Sequence, residues 1–245
     1  MAHGTRINGT SYGITGGRCL VNGTAYSIKK GRTLLGGTGY DIGFGTTISS
    51  YAEGDIVKFN ENGSPADFYV AKHNYESDLN GGGKTLVCKK STYENKVWDS
   101  SNINSYENSD IDKWLNNDYK ELLDANVQKL IGTTKFRYTP GNFNNEVSAL
   151  ERSVFILSLT ELNMSLNLTN VEGSALPISD IIMNSLTGAT WTRTPFLSGN
   201  NSSCFVNMGI GGTSPSIAFC SQSYRCIPVF AVPSSTVVGE DGVIR

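Results

Sequence analysis

Three copies of one short motif stand at the head of the chain, fourteen residues apart: Ile7-Asn8-Gly9-Thr10-Ser11-Tyr12-Gly13-Ile14, Val21-Asn22-Gly23-Thr24-Ala25-Tyr26-Ser27-Ile28 and Leu35-Gly36-Gly37-Thr38-Gly39-Tyr40-Asp41-Ile42. A fixed period of this kind confines the segment to a repeat architecture. Gly17-Arg18 answers Gly31-Arg32 and Leu20 answers Leu34, so each unit reads as two short strands and two turns, six strands in all. Asn-Gly and Gly-Gly reach the positive φ angles of a two-residue hairpin turn without a Cβ clash. Tyr12, Ile14, Tyr26, Ile28, Tyr40 and Ile42 alternate with smaller residues at period two, which puts them on one strand face.

Twelve glycines fall within the first 48 residues, and each one inside a strand costs about 0.5–1 kcal/mol relative to alanine. A segment with so little side chain to bury takes core from a partner. Residues 1–48 are therefore expected to be an assembly module that docks its Tyr/Ile face on another subunit or on the next domain, and whose sheet edges a neighbour can extend. The competing expectation is a self-sufficient glycine-rich meander. Glycine thins out between Thr46 and Ala52, so residues 49–245 read as one globular domain.

A formal net charge of −2 provides no field to draw nucleic acid or an anionic bilayer. No stretch approaches the roughly 20 apolar residues of a membrane span, and the first residues lack the apolar core of a signal peptide. The expectation is synthesis in a cytoplasm with no export by the ordinary signal. Cys19, Cys88, Cys204, Cys220 and Cys226 make an odd count without a C-x-x-C pair, which points to small buried hydrophobes and not to a disulfide framework.

Ile56 to Phe59, a turn through Asn62-Gly63-Ser64-Pro65 and Phe68 to Ala71 read as a hairpin, followed by a strand at Leu86-Val87-Cys88. Ser109 is placed to cap a helix with Ile111, Trp114, Leu115, Leu122 and Leu123 on one stripe, and a short helix follows through Val127, Leu130 and Ile131. Val154 to Leu159 reads as a buried strand, Ile178 to Leu186 as helical, and the chain from Trp191 as short strands. The Ser-, Asn- and Gly-rich stretch 198–224 suits exposed loops. Helices in the middle and strands at both ends make this an α+β domain.

Four segments in order carry a resemblance: Trp114-Leu115-Asn116, Phe155-Ile156-Leu157-Ser158-Leu159-Thr160-Glu161, Trp191-Thr192-Arg193-Thr194-Pro195, and Tyr224-Arg225-Cys226-Ile227-Pro228. Over residues 50 to 235 the chain resembles a family of uncharacterised bacterial and phage domains marked by W-L-N, F-L-L-S-x-x-E, W-x-R-S-P and a closing G-x-R-P strand. It departs at the last marker, where Tyr224 replaces the glycine and two residues separate Arg225 from Pro228. The resemblance implies a fold similar to the C-type-lectin-like and formylglycine-generating-enzyme group. The N-terminal repeat resembles modules on structural proteins of Firmicutes phages and prophages. Together they imply a virion component.

Asn80-Gly81-Gly82-Gly83-Lys84-Thr85 fails as a phosphate loop because Asp78 stands where the first glycine belongs, and Gly209-Ile210-Gly211-Gly212 fails the dinucleotide pattern at Ser214. With only His3 and His73 there is no histidine-rich zinc site, and Asp110, Asp112 and Asn116 read as a helix start, not a calcium loop. No catalytic residue, metal or cofactor is expected. Trp191, Arg193, Tyr224 and Arg225 are the candidate ligand residues, since an indole stacks on sugar rings and guanidinium groups bind hydroxyls or carboxylates. The alternative is that Trp191 fills the core while the arginines bind backbone carbonyls.

The expected function is that of a non-enzymatic bacteriophage structural protein of tail, baseplate or capsid exterior, with the lectin-like domain displayed for host attachment. A ligand-free decoration protein and, further off, a cell-wall hydrolase are the alternatives. Expected partners are other virion proteins, further copies of the chain and a bacterial surface glycan, with no nucleic acid and no membrane insertion.

Overall fold

The computed structural model describes residues 46–209 and 212–244, without the side chains of 204–209 and 212, together with the backbone of six strands before residue 46. These pair as hairpins: β1 (Gly4–Ile7) with β2 (Thr10–Gly13), β3 (Arg18–Val21) with β4 (Thr24–Ser27), and β5 (Lys30–Leu35) with β6 (Thr38–Gly43). Ile7 opposes Thr10, Val21 opposes Thr24 and Leu35 opposes Thr38, so two residues separate the strands of each pair. Within the ladders Tyr12 lies opposite Thr5, Tyr26 opposite Cys19 and Tyr40 opposite Thr33. Ile14, Ile28 and the side chains of Tyr12, Tyr26, Tyr40 and Ile42 lie outside the described residues.

From Thr46 onward the elements are β7 (Thr46–Thr47), β8 (Ile56–Glu61), β9 (Ser64–His73), α1 (Ser77–Asn80), β10 (Lys84–Lys89) and β11 (Tyr93–Val97). A helical stretch follows as α2 (Asp110–Trp114), a π-helical turn (Leu115–Tyr119), α3 (Lys120–Leu122) and α4 (Ala125–Leu130). Then come β12 (Thr134–Tyr138), β13 (Ser148–Arg152), β14 (Val154–Phe155), α5 (Ser179–Ser185), β15 (Thr190–Pro195), β16 (Ser202–Gly209) and β17 (Gly212–Phe219). The chain closes with β18 (Ser223–Cys226), β19 (Val229–Pro233), β20 (Val237–Val238) and β21 (Val243–Ile244). It is a β-rich α+β chain.

A six-stranded sheet runs β14-β19-β10-β9-β8-β21, antiparallel except where β21 joins β8. A five-stranded sheet runs β11-β18-β15-β16-β17. On β8, Val57 and Phe59 are fully buried while Ile56 is exposed, the alternation of a strand with one covered face. The central β10 buries Leu86, Val87 and Cys88 in succession, which requires cover on both faces. Phe59, Phe68 and Phe230 meet with ring centroids 5.1–5.3 Å apart, joining β8, β9 and β19. Ile48 is buried too, and its N–H donates to the Thr236 carbonyl at 2.8 Å.

The Asn62-Gly63 turn forms with both residues at positive φ, 53° and 73°, as a two-residue hairpin demands, and Ser64 and Pro65 belong to β9. Ser109 caps α2 by accepting from the Asp112 N–H at 3.2 Å. Two expectations are corrected. The buried strand ends at Phe155, and Ile156 to Leu159 continue extended and buried, with the Leu157 carbonyl taking the Arg193 N–H. The stretch 198–224, read as loops, holds the longest ladder of the second sheet, β16 with β17. Pro215 is tolerated there because β17 is an edge strand, where a missing N–H costs no ladder bond. The strands β11, β12 and β13 were not anticipated.

Candidate functional site

Arg193, on β15, is fully buried. Its Nη1 donates to Glu161 Oε2 at 2.6 Å and to the Ile156 carbonyl at 2.9 Å, and its Nε and Nη2 donate to the Arg137 carbonyl at 3.1 and 2.9 Å. The guanidinium lies 4.7 Å from the Phe136 ring centre and 5.8 Å from that of Phe155. Glu161 receives a second donor, the Tyr75 hydroxyl at 2.5 Å, and burial followed by the Glu161 charge pushes that phenol well above its ordinary range. A buried ion pair persists only with its remaining hydrogen-bonding positions filled, and here they are filled by the protein itself.

The other markers feed this cluster. Ser158 and Glu161 form a reciprocal cap: the Ser158 N–H donates to Glu161 Oε2 at 2.9 Å and the Glu161 N–H donates to Ser158 Oγ at 3.2 Å. Glu172, also buried, accepts from the Thr139 N–H and the Thr194 hydroxyl, both at 2.6 Å, and burial raises its pKa against the opposing pull of Arg193. Asn116 accepts the Ser153 and Val154 N–H groups at 3.1 Å and donates to the Val154 carbonyl at 3.0 Å, fixing the entry to Phe155. W-L-N, F-x-x-S-x-x-E and W-x-R-T-P thus meet around one buried segment, 153–161.

Of the sequence-predicted ligand residues, Trp191 is 2 % exposed, donates its indole N–H to the Lys96 carbonyl at 2.9 Å and packs edge-on against Tyr224 at 4.8 Å. Tyr224 is half-buried, and its hydroxyl donates to Gln222 at 2.8 Å. Arg225 is half-buried over Gly188, where an added Cβ would come within 2.9 Å of its Nε, and its backbone N–H donates to the Ala189 carbonyl. The structure therefore brings Trp191 and Tyr224 together and encloses Arg193 in the interior. Sequence reasoning flagged Arg193 but missed Tyr75 and Glu172, which no local pattern ties to it.

Two depressions lie elsewhere. One, of about 260 Å³, is lined by Lys72, Glu76, Asp78, Arg137 and Ser174 among others. Arg137 bridges Glu76 and Asp78 there; burial raises the Glu76 pKa, and the Arg137 bond lowers that of Asp78. The second, about 840 Å³, runs between β9 and α5 past Tyr69, Lys90 and Ile181. His73, at the end of β9, bonds Thr85 Oγ1 and the Tyr51 carbonyl, both at 2.9 Å, as a half-buried strand residue. Cys88, Cys220 and Cys226 are buried free thiols, and burial pushes Cys220 and Cys226 up to about 12. Among the described residues no group of three or more His, Cys, Asp or Glu is placed to hold a metal ion, and no helix is long and apolar enough to cross a membrane.

No curated protein and no solved structure matches the chain. Residues 82–234 match the family described as "Domain of unknown function (DUF6273)". That span takes in the W-L-N helix, the Ser158–Glu161 cap and the whole of β15, and the chain belongs to that family.

Proposed function

We propose that this chain is a non-enzymatic structural protein of a bacteriophage particle, in tail, baseplate or capsid exterior, with its N-terminal hairpins as the docking module and a C-type-lectin-like domain facing outward for attachment to the host surface. The observation that carries the non-enzymatic part is that Arg193 and Glu161 pair with each other and bond backbone, while Glu172 is held by the Thr139 N–H and the Thr194 hydroxyl, all deep in the fold. Groups so saturated hold a frame rigid; they are not poised to exchange partners with a substrate. The N-terminal repeat, poor in core, supports docking. A second reading, a ligand-free decoration protein, is favoured by Trp191, whose burial leaves no open aromatic face at the family marker.

Light scattering coupled to size exclusion tests the docking half. The full chain is expected to assemble and residues 46–245 to run as a monomer. Monomers in both cases would remove self-assembly through the hairpins and leave their docking to the chain's own second domain or to a different particle protein, and oligomers in both would move the contact to the second domain.

A further inference from the structure

The net charge of −2 conceals a division between the two parts of the chain. Residues 1–45 hold Arg6, Arg18, Lys29, Lys30 and Arg32 against Asp41, a net of +4, while residues 46–245 hold 15 Lys and Arg against 21 Asp and Glu, a net of −6. The hairpin registers sort the cations further, because residues opposite each other in an antiparallel pair share a face and each step along a strand changes it. Tyr12 with Thr5, Tyr26 with Cys19 and Tyr40 with Thr33 take register positions on one face. Arg6 with Ser11, Arg18 with Ser27, Lys30 with Gly43 and Arg32 with Asp41 take those on the other. Every hairpin therefore has a tyrosine side and a cationic side.

The third hairpin is joined to the second part by Phe44 and Gly45 alone, so Gly43 and Thr46, three residues apart, are separated by at most about 11 Å. Lys30 pairs with Gly43, which puts Lys30 and Arg32 at that joined end. On the other side of the link Thr46 lies opposite Val238, and β20 runs into a tight turn closed by the Gly242 N–H on the Gly239 carbonyl at 2.9 Å, with Glu240 and Asp241 exposed at its tip. The Lys58 N–H donates to the Gly242 carbonyl at 2.9 Å, which sets this turn at the Asp55–Ile56 end of β8. Around it Ile56, Ile181 and Val237 are large apolar residues 40, 42 and 53 % exposed, and Gly54 packs on Ile181. Glu53 and Asp55 are held at the surface by the backbone N–H groups of His73 and Ala52, at 2.9 and 2.8 Å. Across 46–58, 178–185 and 234–245 there are five carboxylates, with Asp180 as the fifth, against Lys58 and the terminal Arg245.

An apolar surface rimmed by carboxylates fits a strand pair that presents cations, and the chain supplies one within reach. Exposed ion pairs contribute little between separate molecules. A two-residue link changes that balance, since it holds the third hairpin at an effective concentration in the millimolar range, which a second copy at micromolar concentration does not match. Resting on the docking reading above, we infer that the surface around Glu53, Asp55, Ile56 and Glu240 seats the cationic side of β5 and β6 of the same chain. The tyrosine side of the repeat is then the one left to meet a particle partner.

Zero-length carbodiimide coupling of the full chain tests this, because it joins a lysine amine only to a carboxylate in contact with it, and mass spectrometry on a mixture of isotope-labelled and unlabelled chains separates links within a chain from links between chains. Lys29 or Lys30 should couple to Glu53, Asp55, Glu240 or Asp241 within one chain, with a yield that falls as salt is raised. Arg32→Glu should lower that yield about threefold or more, and adding Glu240→Lys to it should restore the coupling to Glu53 and Asp55. The Glu240→Lys/Asp241→Lys variant, changed on an exposed turn and leaving the hairpin untouched, should lower coupling to Glu53 and Asp55 by as much. Tyr40→Ser should leave the yield unchanged. Links between chains overturn the inference in favour of a second copy. Coupling to Asp41 alone, coupling to no carboxylate, or a yield that Tyr40→Ser lowers and Arg32→Glu does not, overturns it too. A chain that assembles in light scattering without these links keeps the docking module and loses this seat, whereas a chain that forms the links and stays monomeric keeps the seat and loses self-assembly.

Discussion

Arg193 shows why a residue suited to ligand binding ends up inside. A guanidinium offers five donors in a planar fork, and here three carbonyl or carboxylate partners receive four of the bonds, with the stacked Phe136 and Phe155 rings 4.7 and 5.8 Å away. Removing one member of such a pair leaves the other charge buried and unpaired, at a cost of about 3–5 kcal/mol. Arg193→Met should therefore lower unfolding stability by that amount in urea titrations. Arg193→Lys should lose nearly as much, since one ammonium cannot reach Glu161, Ile156 and Arg137 together. The Arg193→Met/Glu161→Leu double variant should recover part of the loss, and an Arg193→Met variant as stable as the parent would remove the cluster from its role in the core.

Among the elements, those whose signals are local were the ones open to sequence reading. The Asn62-Gly63 turn and the Ser109 cap each depend on residues a few positions apart, and both formed as the chemistry requires. The hairpin of β16 and β17 was hidden because its Ser and Gly content masks a period-two pattern, and because Pro215 argues against a strand until its edge position is known. The Arg193–Glu161 pairing spans 32 residues, and its third member Tyr75 lies 86 residues from Glu161; no spacing rule links them. Asn116 lies between these cases, since its place in the helix was legible and its task was not. It closes the backbone of Ser153 and Val154, so Asn116→Ala should strand two N–H groups and cost about 2–3 kcal/mol. Asn116→Asp, which keeps the acceptor, should cost less. Equal losses in denaturant titrations would show that the amide's donors, not its oxygen, hold that junction.

For the whole molecule, the family match and the folding unit are different objects. The match begins at residue 82 and ends at 234, yet β8, β9 and β21, three neighbours in the six-stranded sheet, lie outside it. Cutting there removes Phe59 and Phe68 from the ring cluster around Phe230 and exposes β10 along the edge that β9 covers. It also removes Tyr75 from Glu161 and Glu76 from Arg137. An exposed apolar edge strand invites pairing between chains. Residues 82–234 alone should therefore aggregate or give a collapsed amide spectrum, whereas residues 46–245 should give dispersed resonances and a single cooperative thermal transition. The start at Thr46 matters because β7 pairs with β20 and Ile48 seals the core beside them, so a start at Ile56 should already lower the midpoint. A dispersed spectrum from 82–234 would mean that β8 and β9 are an addition to a core that the family span completes by itself.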